Sequence, residues 1–260
     1  MYLPQLLARA ETGEKLSVLT CYDASFARLL AENGVDVLLV GDSLGMTVQG
    51  HASTLPVTLE QMIYHTDAVA RGAAGQAFVM ADLPFGSYQK NPQQAFDSAA
   101  RLMAAGANMV KLEGGAVMID SVNFLAQRGI PVCAHVGLMP QSVNITGYRA
   151  QARDAGAASQ LLQDAVDLEA AGAQMLLMES IPSVLAEEVT QRLGIPTIGI
   201  GAGPHCNAQV LVLQDLIGLT PKPPRFAKNF MHEAGDLASA IRRYVAAVKA
   251  GEFPGPEHSF

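Results

Sequence analysis

Short runs of Val, Ile, Leu and Ala recur along the chain, and each gives way to a longer stretch whose apolar positions return every three or four residues. A run of four or five apolar residues suits a strand buried on both faces, whereas the longer period suits a helix with one face against a core. Their alternation predicts βα units around a parallel sheet. Eight strands are expected, at 16–20, 36–40, 77–81, 109–112, 131–135, 174–178, 196–200 and 210–213, with helices between them that include 23–33, 59–71, 92–105, 157–171 and 183–193. Asn33-Gly34, Ala105-Gly106, Ala171-Gly172 and Leu193-Gly194 read as left-handed helix ends, because glycine takes positive φ without a Cβ clash.

Eight such units predict an α/β fold of the closed (β/α)8 kind, a TIM barrel. An open doubly wound sheet usually has fewer strands and a glycine-rich turn after the first, but here the first strand runs into Cys21-Tyr22-Asp23. An extra N-terminal helix over 3–12 is expected to cap the barrel floor, and the tail 251–260, rich in Pro and Gly, to lie outside the barrel. With no linker or shift of composition, residues 1–260 are read as a single catalytic domain. The run Gly199-Ile200-Gly201-Ala202-Gly203 is not G-x-G-x-x-G and follows the seventh strand, so it reads as a tight turn that lets a neighbour come close.

Half of the residues are apolar and 16% are charged, ample for a large core, and the high apolar fraction also hints at self-association. A formal net charge of −7 without any basic stripe argues against nucleic acid as a partner. The start of the chain lacks a signal-peptide pattern, and no apolar run approaches the roughly 18 residues of a membrane span, so a cytoplasmic protein with no membrane partner is expected. Cys21, Cys133 and Cys206 are odd in number and far apart, which suggests reduced thiols rather than disulfides or a zinc site.

In a parallel barrel the strand C-termini share one face, where the active site is built. Those positions carry Asp42-Ser43 after strand two, Asp82 after strand three, Lys111 and Glu113 in strand four, His135 in strand five and Glu179 after strand six. An acid after a strand is often only a helix cap. Four carboxylates, an ammonium and an imidazole at one end of five neighbouring strands, however, would desolvate and repel one another unless a cation or ligand organised them. All-oxygen ligands favour Mg²⁺, which keeps some coordination positions for water or substrate, and a 2-oxo acid can chelate there.

The same segments resemble the ketopantoate hydroxymethyltransferase family. The resemblance is carried by Val40-Gly41-Asp42-Ser43-Leu44-Gly45-Met46, Gln49-Gly50-His51, Thr54-Leu55-Pro56-Val57-Thr58, Ala81-Asp82-Leu83-Pro84-Phe85, Val110-Lys111-Leu112-Glu113-Gly114-Gly115, Pro140-Gln141-Ser142-Val143-Asn144 and Gly199 to Gly203, and extends through Phe226-Ala227-Lys228-Asn229-Phe230 to Glu257-His258-Ser259-Phe260. It implies an enzyme of pantothenate biosynthesis that transfers a one-carbon unit from 5,10-methylenetetrahydrofolate to 3-methyl-2-oxobutanoate, giving 2-dehydropantoate. It further implies that Asp42, Asp82 and Glu113 surround Mg²⁺ directly or through water, and that Asp42, Ser43, Asp82 and Lys111 contact the oxo acid. Glu179 is implied as proton acceptor, His135 as a site-lining residue, and a ring-like homo-oligomer, often a decamer, as the assembly.

The chain departs from the family at Thr146-Gly147-Tyr148-Arg149, one glycine fewer than the usual Gly-Gly-Tyr-Lys. A Mg²⁺-stabilised enolate would follow from these parts: Glu179 takes the C3 proton while Lys111 pairs with the substrate carboxylate and Ser43 adds a hydrogen bond. The rivals are another Mg²⁺-enolate barrel of the isocitrate lyase and phosphoenolpyruvate mutase group, which often carries a Cys in a flexible loop, and a non-catalytic metabolite-binding barrel. Glu179 together with Lys111 disfavours the second.

Overall fold

A computed structural model describes all 260 residues and shows eight parallel strands closed in the order β1 to β8. They are β1 (Leu16–Thr20), β2 (Val37–Val40), β3 (Phe78–Asp82), β4 (Met109–Glu113), β5 (Val132–Gly137), β6 (Met175–Glu179), β7 (Thr197–Ile200) and β8 (Ala208–Leu211). The helices are α1 (Leu3–Glu11), α2 (Ala24–Glu32), α3 (Leu44–Thr47), α4 (Leu59–Ala73), α5 (Pro92–Ala104), α6 (Ile119–Ala126), α7 (Val143–Thr146), α8 (Ala155–Ala170), α9 (Ser183–Arg192), α10 (Leu213–Leu216) and α11 (Leu237–Lys249). No helix is long and apolar enough to cross a membrane.

Alternate residues of each strand divide the apolar material into two cores. Val18, Val37, Leu39, Phe78, Met80, Met109, Cys133, Met175, Leu177, Ile198 and Val210 point inward and fill the barrel. Leu19, Leu38, Val79, Val110, Leu112, Ala134, Leu176 and Met178 point outward against the helices. Leu6 and Ala10 of α1 join the inner set, so α1 plugs the floor as its sequence suggested. Arg9 fixes that plug through ion pairs to Glu14 and to buried Asp36, whose Oδ2 accepts hydrogen bonds from Ser17 N and Oγ at 2.8 Å each.

The expected alternation fails once, between β7 and β8, where residues 201–207 connect the strands with no helix. The tail was expected outside the barrel, and it does run outside the barrel wall, but it is packed there. Phe253 is buried against Tyr244 of α11 and Phe230, while Ser183 N at the start of α9 donates to the main-chain oxygen of Phe260 at 2.9 Å. The tail thus bridges α11 and α9 on the side that lacks a helix. The Phe260 and Phe226 rings lie over Gly201, where a Cβ would come within 2.9 and 3.1 Å of them, so the neighbour expected at the Gly199–Gly203 turn is the chain itself.

Two smaller corrections have local causes. The eighth strand is Ala208–Leu211 rather than 210–213, because Leu213 opens α10 with its N–H donating to Thr20 Oγ1 at 2.9 Å, and an unbroken apolar run cannot mark that turn. Gly34, Gly106 and Gly172 have positive φ as expected, but Gly194 does not, because its N–H is drawn to Glu169 Oε1 at 2.7 Å.

Candidate active site

The inward parity that fills the barrel with apolar side chains continues upward into polar ones. Phe78 and Met80 lead to Asp82, Met109 to Lys111 and Glu113, Cys133 to His135, and Met175 and Leu177 to Glu179. Register then sets them side by side, with Asp82 opposite Lys111 and Glu113 opposite His135. Gly137, paired with Glu179, has φ +95°, and a Cβ there would meet the Glu179 carbonyl oxygen at 2.3 Å. Glycine at that position lets β5 and β6 approach where the site is built.

Lys111 is the hub. Its Nζ lies 3.1 Å from Asp82 Oδ1 and 3.3 Å from His135 Nδ1. Burial works against the ammonium, but the charges of Asp82, Glu113 and Asp42 outweigh it and raise its pKa. An ammonium can only donate, so His135 Nδ1 must accept and the ring proton sits on Nε2, 3.5 Å from Glu179 Oε2. Burial first, and the Lys111 charge second, hold His135 far below its usual range, so it is neutral. The imidazole therefore stands between Lys111 and Glu113 on one side, where Nδ1 is 3.7 Å from Glu113 Oε1, and Glu179 on the other.

All four carboxyls are pushed up. Asp42 rises to about 7 through burial and the nearby Asp82 charge, and Asp82 rises through burial despite Lys111. Glu113 rises through burial with Asp42 and Asp82 adding to it, and Glu179 goes up to about 8, mainly through burial. Neither Asp42 nor Asp82 caps a helix: Asp42 N donates to Asp82 Oδ2 at 3.0 Å, and Asp42 Oδ2 accepts from Gln141 Nε2 at 2.9 Å. Ser43 Oγ lies 2.9 Å from the Tyr22 hydroxyl at the edge of the same group.

Asp82 Oδ1, Glu113 Oε1 and His135 Nε2 are among the buried polar atoms without a hydrogen-bond partner. The Asp82–Lys111 approach is ionic without the direction of a hydrogen bond. Buried polar atoms are nearly always satisfied, so Glu113 Oε1, a buried carboxylate oxygen at the top of the barrel that no donor reaches, fits a missing hard cation or ligand. No three acidic or histidine side chains converge closely enough to enclose an ion by themselves. The donor set fits an ion held by few direct carboxylates and completed by water or substrate, which is how Mg²⁺ is usually bound.

The match to known proteins extends along almost the whole chain, residues 1–256 aligning with the ketopantoate hydroxymethyltransferase family. The chain belongs to this family. A 3-methyl-2-oxobutanoate hydroxymethyltransferase of Thiobacillus denitrificans is 62% identical over 259 residues, covering 99% of this chain and 98% of the relative. One of Nitrosospira multiformis is 61% identical, covering 96% and 95%. As a ketopantoate hydroxymethyltransferase family member the chain is an enzyme of the transferase class, acting on small molecules. Among solved structures, phosphonopyruvate hydrolase in complex with oxalate and Mg²⁺ is similar at TM-score 0.64 with 13% identity, covering 84% of each chain. A putative lyase/mutase from Burkholderia cenocepacia reaches 0.65 with 17% identity, covering 99% of this chain and 97% of that one. At such identity these share the barrel fold alone.

Asp42, Ser43, Asp82, Lys111, Glu113, His135 and Glu179 are therefore brought to one end of the barrel. Sequence reading assigned no role to Tyr22, Tyr88, Gln141 and Tyr148, which the fold adds. Tyr148, in the loop that departs from the family, is raised by burial and by the Glu179, Asp42 and Glu113 charges, so it overlooks the site, and its hydroxyl contacts Met46 Sδ at 3.8 Å. Gln151 N in the same loop donates to Ser180 O at 2.9 Å. Ser180 follows Glu179 with φ +50°, a strained backbone that local sequence does not announce.

Proposed function

We propose that this enzyme adds a one-carbon unit from 5,10-methylenetetrahydrofolate to C3 of 3-methyl-2-oxobutanoate, giving 2-dehydropantoate for pantothenate biosynthesis. The observation that carries the reading is Glu179: burial holds its carboxyl near pKa 8, and the neutral His135 ring separates it from Lys111 and Glu113. A base must be reachable by a carbon acid while the substrate's charged end is held elsewhere, and a pKa near working pH suits it.

Lys111 pairs with the substrate carboxylate, and Ser43 donates a hydrogen bond that holds the acid in one pose. Asp42, Asp82 and Glu113 would hold Mg²⁺, directly or through water, and when bound the ion supplies Lewis-acid stabilisation for charge developing on the 2-oxo oxygen. Glu179 removes the C3 proton, with the neutral His135 ring 3.5 Å from its carboxylate. The C3 carbon then bonds to the folate methylene, both methylene–nitrogen bonds break with their electron pairs left on N5 and N10, water supplies the hydroxyl, and the C3 proton and the remaining water proton end on the two nitrogens of tetrahydrofolate.

The reading extends to a cytoplasmic homo-oligomer, a decamer by family resemblance. Cys21, Cys133 and Cys206 are all buried, with pKa values that burial raises to about 12, 12 and 11, so none is an exposed loop thiol of the isocitrate lyase kind. The decisive experiment is NMR of C3–H exchange of 3-methyl-2-oxobutanoate in D₂O with enzyme and Mg²⁺ but no folate. Wild type should exchange, and Glu179→Gln should slow exchange by roughly 10² to 10⁴-fold with substrate binding retained. Exchange by the variant at the wild-type rate would overturn Glu179 as the base.

A further inference from the structure

Gln141 sits in the turn Pro140–Ser142 that follows β5, yet its side chain is buried among groups from three other parts of the barrel. Its backbone N–H donates to Glu113 Oε2 at 3.0 Å. Its amide Nε2 donates to Asp42 Oδ2 and to the Leu83 carbonyl, both at 2.9 Å. Its Oε1 accepts from the Tyr88 hydroxyl at 2.7 Å and from Gln89 Nε2 at 3.0 Å. Both hydrogens and both lone pairs of the amide are thus in use, and the sense of the amide is determined. Turning it over would set its oxygen against the Asp42 carboxylate and the Leu83 carbonyl, and its NH₂ against the donor Gln89.

Tyr88 secures this arrangement from behind. It is almost wholly buried, and its hydroxyl accepts from Glu113 N at 3.1 Å while donating to Gln141. One residue therefore grips a single oxygen of each of two carboxylates, while Glu113 Oε1 is left without any partner. A purely structural hydrogen-bond network would satisfy that buried atom as well.

We infer that Gln141 is a positioning residue, which together with Tyr88 fixes the Asp42 and Glu113 carboxylates in the orientation a divalent cation needs. The inference rests on the reading that these carboxylates hold Mg²⁺. Partners of this kind, one step removed from a metal, typically change affinity or activity 10- to 100-fold when lost. Mg²⁺ demands near-ideal octahedral geometry, whereas Ca²⁺ tolerates irregular and variable oxygen arrangements. Loosening the Asp42 carboxylate should therefore penalise Mg²⁺ more than Ca²⁺, a signature that general destabilisation does not produce.

The test measures binding of Mn²⁺ by electron paramagnetic resonance, and of Mg²⁺ and Ca²⁺ by competition, to the folded full-length protein and two variants. Gln141→Met keeps the length and the backbone N–H but removes the amide. Tyr88→Phe keeps the ring but removes one of the two hydrogen bonds to the amide oxygen and the acceptor for Glu113 N. Gln141→Met should weaken Mn²⁺ and Mg²⁺ binding by roughly 10- to 100-fold and lower the Mg²⁺ to Ca²⁺ affinity ratio, and Tyr88→Phe should do so in the same direction by less. Unchanged affinities and ratio in Gln141→Met would overturn the positioning role while leaving the metal reading intact. If Gln141→Met does not fold, an unchanged ratio in Tyr88→Phe overturns it equally. Wild-type protein that binds none of the three ions would instead refute the metal reading, and the inference with it.

Discussion

Protonation at Glu179 couples the site to stability. A carboxyl whose folded pKa is raised from 4.5 to about 8 keeps its proton in the native state over a range where the unfolded chain has lost it. Its contribution is therefore fully present below pH 4.5 and is lost as pH rises through about 8. In EDTA, the stability of Glu179→Gln relative to wild type should accordingly rise between those limits; chemical denaturation at a series of pH values would show a flat difference if Glu179 titrated normally. Asp82 raises a different question, since its Oδ1 faces Lys111 at 3.1 Å while its Oδ2 accepts from Asp42 N. Asp82→Asn should weaken Mg²⁺ binding because an amide cannot replace the lost charge, a change that titration calorimetry can follow. EDTA should abolish C3–H exchange and Mg²⁺ restore it; undiminished exchange in metal-free buffer would sink the metal assignment. At this scale the sequence displayed the charged residues but not Gln141, whose partners Asp42 and Leu83 lie 99 and 58 positions away.

Among the elements, α1 shows how a short amphipathic helix can complete a barrel. Leu6 is fully buried in the inner core, and Arg9 ties the helix to Asp36 at the start of β2. Leu6→Ala should cost about 2 to 5 kcal/mol, seen as a lower denaturation midpoint at unchanged slope; a shift within the error of the measurement would mean the floor collapses to fill the space. The strands and most helices were legible because buried parallel strands read as apolar runs and the helices as three-to-four periodicity. The end of β8 was not, since the apolar run continues through the turn into Leu213. Gly194 was misread as a left-handed cap because a glycine after a helix carries the same local signal whether or not a distant Glu169 claims its N–H.

For the whole molecule, the tail takes part in the layer outside the barrel wall. Because no helix joins β7 to β8, residues 251–260 pack between α11 and α9, with Phe253 buried among Tyr244 and Phe230. Phe253→Ala should destabilise the fold by about 3 to 5 kcal/mol, measurable as a fall in thermal midpoint, and a midpoint unchanged from wild type would show the tail to be dispensable. Light scattering should return a mass several times 27.4 kDa, whereas a monomer at micromolar concentration would contradict the proposed oligomer.

What the sequence determined by itself was the alternation that specifies a barrel and the chemical kinds of side chain ending its strands, because both depend on local periodicity and on the shared direction of parallel strands. Tertiary structure alone decided the rest. It set the sense of the Gln141 amide, the tautomer of His135, the rise of the Glu179 carboxyl and the packing of the tail between α11 and α9. Each of these arises from burial and from partners distant in the chain, and no local pattern encodes which distant groups will meet.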